Sequence, residues 1–358
     1  MLNAVNKTMA IEQKGLILVF RPESSEDFQE IAKRVHELDP SILIVGCSGE
    51  IVLKDLPDNI EKIPLLVVYL VNPPQEPALH LAPMLAVRLV DKVEEYELFK
   101  KYNLPCLPIG RFTWGMELDP TVYGDWIVIK PQHMQSTGKD INMLPTNLIQ
   151  SLKPSDFPEG HLIHQDEYFI QKFIRSGDSP SHYRTLVFLD EVIWSGFVKL
   201  QIPYPIPDAS LHDLLSKSVA SNQSEFNKRH MVKDAEVNQL ALNAARCFPS
   251  GPIFGIDIIR DSDTSKLYVL ELNAGGNVWH FSSEVGEHVR RAYGGRDLMI
   301  AQYNAWDKAA EALVLRVHDL SGSVARHLSG RHSAPKGVPN ETNGSATGEP
   351  KDEIRRNV

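Results

Sequence analysis

Two apolar runs, Phe254–Arg260 and Leu267–Asn273, constrain this chain more than any other feature. An Asp/Ser/Thr-rich stretch separates them, and each run has the length of a strand, so together they predict a β-hairpin. Carboxylates interrupt the apolar pattern at Asp257 and Glu271, with Asn273 two residues further on. Closing the hairpin with Asp261 opposite Leu267 sets Asp257 directly across from Glu271. It puts Asn273 on the same face and sends Ile256, Ile258, Leu270 and Leu272 to the other. Opposed Cβ atoms lie ~5 Å apart, so two carboxylates there repel unless a cation joins them. Asp, Glu and Asn offer the hard oxygens that Mg²⁺ takes, with phosphate oxygens to complete its shell. A hairpin with one solvated face is the plain alternative. Three such residues inside otherwise apolar strands weigh against it.

A second constraint is the strand Trp126–Pro131, which ends in Lys130-Pro131 and leads into a polar stretch containing Ser136, Thr137 and Gly138. A lysine closing a buried strand, ahead of hydroxyls and a glycine, has the parts of a phosphate clamp: a point charge plus N–H and O–H donors. Further on, Gln171-Lys172-Phe173-Ile174 closes another strand and runs into polar Arg175–Ser181. After Asn273, Gly275 and Gly276 permit close backbone approach, and His280 is placed to enter the same site.

The rest of the chain supplies a frame for these pieces. Residues 1–14 are polar and aperiodic, as expected of a flexible leader. Gly15–Phe20, Ser41–Val45 and Pro64–Val71 are near-continuously apolar, the pattern of strands buried on both faces. Between the first two lies a helix opened by a capping-box-like Ser24 and Asp27, with Phe28, Ile31, Ala32, Val35 and Leu38 on one side. This predicts a small α/β domain over 15–88. From 89 to 320 the strands come in hairpin order with helices segregated, an α+β pattern. Asp91–Tyr102 is read as a helix with Val93, Tyr96 and Phe99 inward. A second helix repeats Val237, Leu240, Ala241, Ala244, Ala245 and Phe248, and a last one runs from about Asn304 to His318. Residues 321–358 are Gly/Ser/Pro/Asn-rich with almost no large apolar side chain, the composition of a disordered tail.

Charge and cysteine content exclude several classes. The 37 basic and 46 acidic residues leave a net charge of −9, so the chain lacks the positive field needed to coat nucleic acid or an anionic membrane. Three cysteines without a CxxC pair indicate neither a disulfide framework nor a zinc site. The longest apolar run, Leu65–Val71, falls far short of the ~20 residues of a membrane span, and no signal-peptide pattern opens the chain. A cytoplasmic protein is expected.

Taken in order, the pieces resemble the ATP-grasp superfamily. The resemblance lies in Val90-Asp91-Lys92 through Leu104-Pro105, Val128–Pro131, Gln171–Ile174, Tyr183-Arg184, and Asp257 with Glu271-Leu272-Asn273, and it covers about residues 89–285. It implies an ATP-grasp fold, two α+β subdomains gripping ATP, preceded by the small α/β domain at 15–88. It also implies a ligase that uses ATP and Mg²⁺, with Mn²⁺ as an alternative. Such a ligase forms an acyl phosphate from a small carboxylate and passes it to an amine or similar nucleophile, most often making a carbon–nitrogen bond. By this resemblance Lys92 and Lys130 hold the ATP phosphates, covered by Ser136, Thr137 and Gly138. Gln171, Phe173 and Ile174 form the hinge against adenine, and Asp178 faces the ribose. Arg184 and Lys199 are the catalytic cations at the γ-phosphate and acyl phosphate, and Asp257, Glu271 and Asn273 ligate Mg²⁺. The chain departs from the family's pattern in having a single glycine in the phosphate loop, and in Lys172, where an acidic residue is common. Two alternatives fit the same fold: a non-catalytic nucleotide-binding regulator or scaffold, as in synapsins, and a phosphotransferase. The substrate reader is expected within Ser218–Asp234, which holds Asn222, Arg229 and His230.

Overall fold

The structure is a computed structural model that describes residues 13–77, 79, 82–86, 90–132, 138–205, 208–220 and 227–329. Its first layer is a parallel sheet of β1 (Lys14–Phe20), β2 (Ile42–Ser48), β3 (Leu65–Tyr69) and β4 (Met84–Ala86), in the order β2-β1-β3-β4. Both faces of β1 are buried, which is why its sequence is apolar without alternation. Helix α1 (Ser25–Leu38) buries Phe28, Ile31 and Val35, as its spacing predicts. Its start differs from expectation. Ser24 makes no side-chain cap, and Asp27 is completely buried because its carboxylate is drawn into tertiary contacts.

Helix α2 (Lys92–Lys101) is capped by Asp91, whose carboxylate accepts the Val93 and Glu94 N–H groups at 2.8 and 2.9 Å. The buried residues on it are Glu95 and Phe99 rather than the Val93/Tyr96/Phe99 face expected from hydrophobicity. The inward stripe therefore carries charge.

Then comes a four-stranded antiparallel sheet, in the order β5-β8-β6-β7. It comprises β5 (Ile109–Arg111), β6 (Trp126–Pro131), β7 (Asn142–Pro145) and β8 (Tyr168–Lys172), with the short α3 (Pro120–Tyr123) between β5 and β6. A five-stranded antiparallel sheet follows, with β9 (Ser181–Phe188), β10 (Glu191–Leu200), β11 (Asn227–Met231), β12 (Ile253–Arg260) and β13 (Leu267–Ala274) in the order β11-β10-β9-β12-β13. Helix α4 (Leu211–Ser216) lies between β10 and β11, and α5 (Ala235–Ala245) between β11 and β12. α5 lies against one face of the five-stranded sheet, where Val237, Leu240, Ala241, Ala244, Ala245 and Phe248 pack on Ile256, Ile258, Val269 and Leu272. This is the predicted stripe, fully realised.

Helices α6 (Glu287–Ala292), α7 (Arg296–Tyr303) and α8 (Ala305–Ser329) complete the described chain. One core joins Leu16, Leu18 and Phe28 of the parallel layer to Phe188 and Trp194 of the five-stranded sheet and to Trp279, Trp306 and Leu313. The last helix, expected to end near His318, runs to Ser329. Residues 330–358 of the segment read as a disordered tail, and most of the leader, lie outside the described residues. Among the described residues no helix is long and apolar enough to cross a membrane.

Candidate active site

The hairpin of β12 and β13 brings Asp257 opposite Glu271 and Gly255 opposite Asn273. The route to that register differs from expectation. Arg260, not Asp261, pairs with Leu267, and a bulge after Asp257 restores the alignment. Asp261 is occupied in closing the turn, where its carboxylate accepts the Asp263 N–H at 2.9 Å and the Thr264 hydroxyl at 2.7 Å. The bulge leaves Leu270 without a partner and changes its face. Val269 enters the core behind the sheet, whereas Leu270, expected there, lines the cleft in front.

Cations gather around the two carboxylates. Lys92 Nζ lies 3.5 Å from Glu271 and 3.6 Å from Glu95, and Glu95 also accepts the Leu272 N–H at 3.1 Å, which docks α2 on β13. Arg184 on β9 is the Cα partner of Asp257 and grips it with Nη2 at 2.8 Å and Nε at 2.5 Å. Gly255 makes this possible, since a Cβ there would sit 3.0 Å from the Arg184 guanidinium. His182 Nε2 stands 3.6 Å from Asp257 Oδ1, the oxygen that the Arg184 Nε also approaches. Asn273 donates to Glu271 at 3.0 Å. Lys130, at the end of β6, donates to the neutral Gln171 amide oxygen at 2.7 Å.

These contacts sort the charges. Lys92 holds the Glu271 carboxyl well below the usual carboxylate range against its burial, helped by Lys130, Asn273 and Arg184. Burial works against the charge of Lys92, yet Glu271, Glu95 and Asp257 outweigh it and raise Lys92 above its ordinary value. Burial pushes Asp257 up to about 7 in spite of Arg184, with Glu271 adding to the rise, and pushes Glu95 up to about 7 against Lys92. Burial likewise lowers Lys130, whose hydrogen-bond partner among the described residues is the Gln171 amide. Burial and Arg184 together push His182 down to about 3, so it is a neutral imidazole.

Asp257, Glu271 and Lys130 line an open cleft of about 140 Å³. Its walls are apolar. Val128 and Leu107 line it from the four-stranded sheet side, and Ile259 and Leu270 from the hairpin. Gln171, Lys172, Phe173 and Ile174 line its edge, and the Phe173 N–H is taken by the Trp126 carbonyl at 3.1 Å.

Of the residues expected in one site, Lys92, Lys130, Gln171, Phe173, Ile174, Arg184, Asp257, Glu271 and Asn273 come together. Gly138 is buried at φ +90°, and its carbonyl accepts the Ser218 hydroxyl, tying the loop to the 218–220 segment that walls the cleft. Ser136, Thr137 and Asn222 lie outside the described residues. Asp178 is exposed and does not line the cleft. Lys199 is also misplaced by its sequence reading. It pairs with Ser181 and Lys228, out of phase with Arg184 and His182, so it points to the other face of the sheet and is exposed. Val198 holds the in-phase position, with His182 on one side and Arg229 on the other. Glu95 and His182 escaped the sequence reading because only register and helix phase reveal them.

The donor set suits a hard divalent cation. No trio of His, Cys, Asp and Glu is gathered at metal-binding spacing among the described residues. The site therefore offers two carboxylates and an amide and needs further oxygens from a phosphate and water, the usual arrangement for Mg²⁺. Asp257 Oδ1 is buried with the Arg184 Nε 2.5 Å away, so a cation bound there would share this oxygen with the guanidinium.

The sequence matches no family model and no curated protein. The chain is similar to the solved structure of D-cycloserine synthetase DcsG, at 14% identity over 85% of this chain and 99% of that one, with a TM-score of 0.46. It is similar also to the D-alanine–D-alanine ligase of Bacillus anthracis, at 12% identity over 87% and 99% of the two chains, TM-score 0.45. A third similar structure is the ATP-grasp ligase PsnB complexed with minimal precursor, Mg and ADP, at 12% identity over 85% and 98%, TM-score 0.46. These likenesses are distant.

Proposed function

We propose that the chain is an ATP- and Mg²⁺-dependent ligase that activates a carboxylate as an acyl phosphate and delivers it to an amine or similar nucleophile. One observation carries this reading. A largely apolar cleft is lined by Lys130 and the opposed carboxylates Asp257 and Glu271, and Lys92 and Arg184 pair with those carboxylates. A base fits the apolar walls, and a polyphosphate fits the charged end.

The residues divide the work. Lys130, whose hydrogen bond goes to an uncharged amide, is the cation most available to a phosphate. Lys92 and Arg184 are already anchored by carboxylates, so they hold fixed positions rather than move when the ligand arrives. Asp257, Glu271 and Asn273 would hold Mg²⁺, which supplies positive charge to the phosphate oxygens when bound. A carboxylate oxygen of the substrate then bonds to the γ-phosphorus as the bond to the β–γ bridging oxygen breaks and ADP leaves. The nucleophile next attacks the acyl carbon, and inorganic phosphate departs. Arg184 would meet the transferring group, and positioning with fixed charge is most of what this chemistry asks of a protein.

The test is ADP release from Mg·ATP with a panel of carboxylates, with hydroxylamine present to trap acyl phosphate as hydroxamate. Carboxylate-dependent ADP release with hydroxamate formation supports the ligase. Tight Mg·ATP binding with no ADP release from any carboxylate overturns it. Lys130→Ala supplies a second check. Losing one charge-assisted contact costs ~1.5–3 kcal/mol, so ATP affinity is expected to fall about one to two decades while adenosine affinity barely changes. Equal weakening of both in calorimetric titrations would remove Lys130 from the phosphates.

A further inference from the structure

Beyond Arg184, the same face of the five-stranded sheet carries a second guanidinium. Gly196 pairs with Arg184 on one side and Met231 on the other, and Val198 pairs with His182 and Arg229. Arg229 therefore shares the face of Arg184 and Asp257, two strands or ~10 Å further from the opposed carboxylates. Arg184 is neutralised by Asp257, but among the described residues no carboxylate answers Arg229; its neighbours are the Arg184 guanidinium and the Tyr293 hydroxyl, which burial keeps neutral.

The surroundings add to this imbalance. Tyr293, just after α6, lies over Gly196, where a Cβ would come within 2.6 Å of its hydroxyl, and its ring meets Trp194 edge-on at 4.9 Å. His280 stands edge-on to the same indole at 6.1 Å, and its Nδ1 is buried without a hydrogen-bond partner. Burial and the nearby Arg184, His288 and Arg229 push His280 down to about 3, and His288 is lowered by burial and Arg229. An arginine keeps its charge at any working pH, so here it stands part-buried beside a second guanidinium with no anion of its own. The missing charge has to come from a ligand. Arg184 is pulled toward Asp257 by two contacts and so away from Arg229, which makes the two arginines separate anchor points.

We infer that Arg229, with His280 and the Tyr293 hydroxyl, receives an oxyanion group, carboxylate or phosphate, that a substrate carries in addition to the carboxylate being activated. This rests on the ligase reading above, and it narrows the substrates to a pair in which one member is a diacid, an amino acid or a phosphorylated acid. The guanidinium fork matches either oxyanion in a bidentate pair.

The experiment uses the full chain and three probes at constant ionic strength: acetate, inorganic phosphate and the neutral acetamide. Histidine ring Cε1–H signals are followed by NMR, with His280→Gln and His288→Gln assigning them. Saturable shifts of the His280 signal are expected with acetate or phosphate and not with acetamide, and whichever oxyanion saturates at lower concentration names the group. Arg229→Gln is expected to weaken that binding at least about tenfold, and Arg229→Lys to recover part of it. No saturable shift, or one untouched by Arg229→Gln, overturns the subsite. Nucleotide binding is titrated separately. A protein that binds oxyanions through Arg229 but no Mg·ATP refutes the ligase reading and keeps the subsite. One that binds Mg·ATP with no oxyanion response does the reverse.

Discussion

Glu271→Gln and Asn273→Ala are expected to lose at least about 100-fold in ADP turnover while retaining fold and measurable nucleotide binding. Three cations, Lys92, Lys130 and Arg184, face Glu271 and two carboxyls, Asp257 and Glu95, that burial pushes up to about 7, so the site holds only a small positive surplus before a polyphosphate arrives. ATP adds several negative charges, and only a divalent cation restores the balance. In the ground state the cleft, Lys130 and Arg184 still hold the nucleotide when one ligand is lost. In the transition state charge builds on the β–γ bridge, so a missing ligand costs rate more than binding. Glu271→Gln preserves shape, and Lys92 keeps Glu95 as a partner, so the strand is not expected to move. Steady-state ADP release, with nucleotide affinity measured on the same preparations, checks this. Loss of affinity equal to the loss of rate would show that Glu271 supports ground-state binding instead.

Part of this site was legible in the sequence, and the parts that were not share a cause. The Asp257–Glu271 pairing followed from alternation, but by two offsets that cancelled: a turn one residue longer than expected, and a bulge on the second strand that restored the alignment. Nothing local announces that bulge, because Asp261 reads equally well as a strand end or as the turn-closing carboxylate it is. Lys199 was drawn into the site by its charge and excluded by its phase, one residue away from Val198 on β10. Helix α2 shows the same limit from the other side. Its buried face holds Lys92 and Glu95, which no hydrophobic pattern selects, because the partner that makes burial tolerable, Glu271, lies far away in sequence. By contrast, the α5 stripe and strands β1 and β3 of the parallel layer are buried by neighbours of their own kind. Apolar spacing alone placed them correctly.

Asp27 belongs with the illegible group, and Asp27→Ala is expected to cost about 1–3 kcal/mol of stability. Read locally, it is the acidic residue of a helix start. In the fold it is fully buried and accepts hydrogen bonds from the Trp279 indole N–H at 2.7 Å and the Ser282 hydroxyl at 2.6 Å, and it pairs with Arg296. Trp279 stacks on Trp306 and packs against Phe28, so its N–H cannot turn to water once the acceptor is gone. That unpaired donor costs about 1–3 kcal/mol, whereas the Ser282 hydroxyl keeps the Ser24 hydroxyl at 3.0 Å and adds little. Arg296 contributes less, because its side chain is 31% exposed and keeps Glu26 at 3.3 Å. Asp27→Asn keeps one acceptor for Trp279 and should cost roughly half as much. The contact joins α1 of the parallel layer to the segment that follows β13, yet it touches none of the cleft residues. Urea unfolding should therefore show the stability loss in both variants, while Mg·ATP affinity of the folded fraction stays within about twofold. A large fall in affinity alongside an unchanged unfolding midpoint would mean that this carboxylate serves the site rather than the fold.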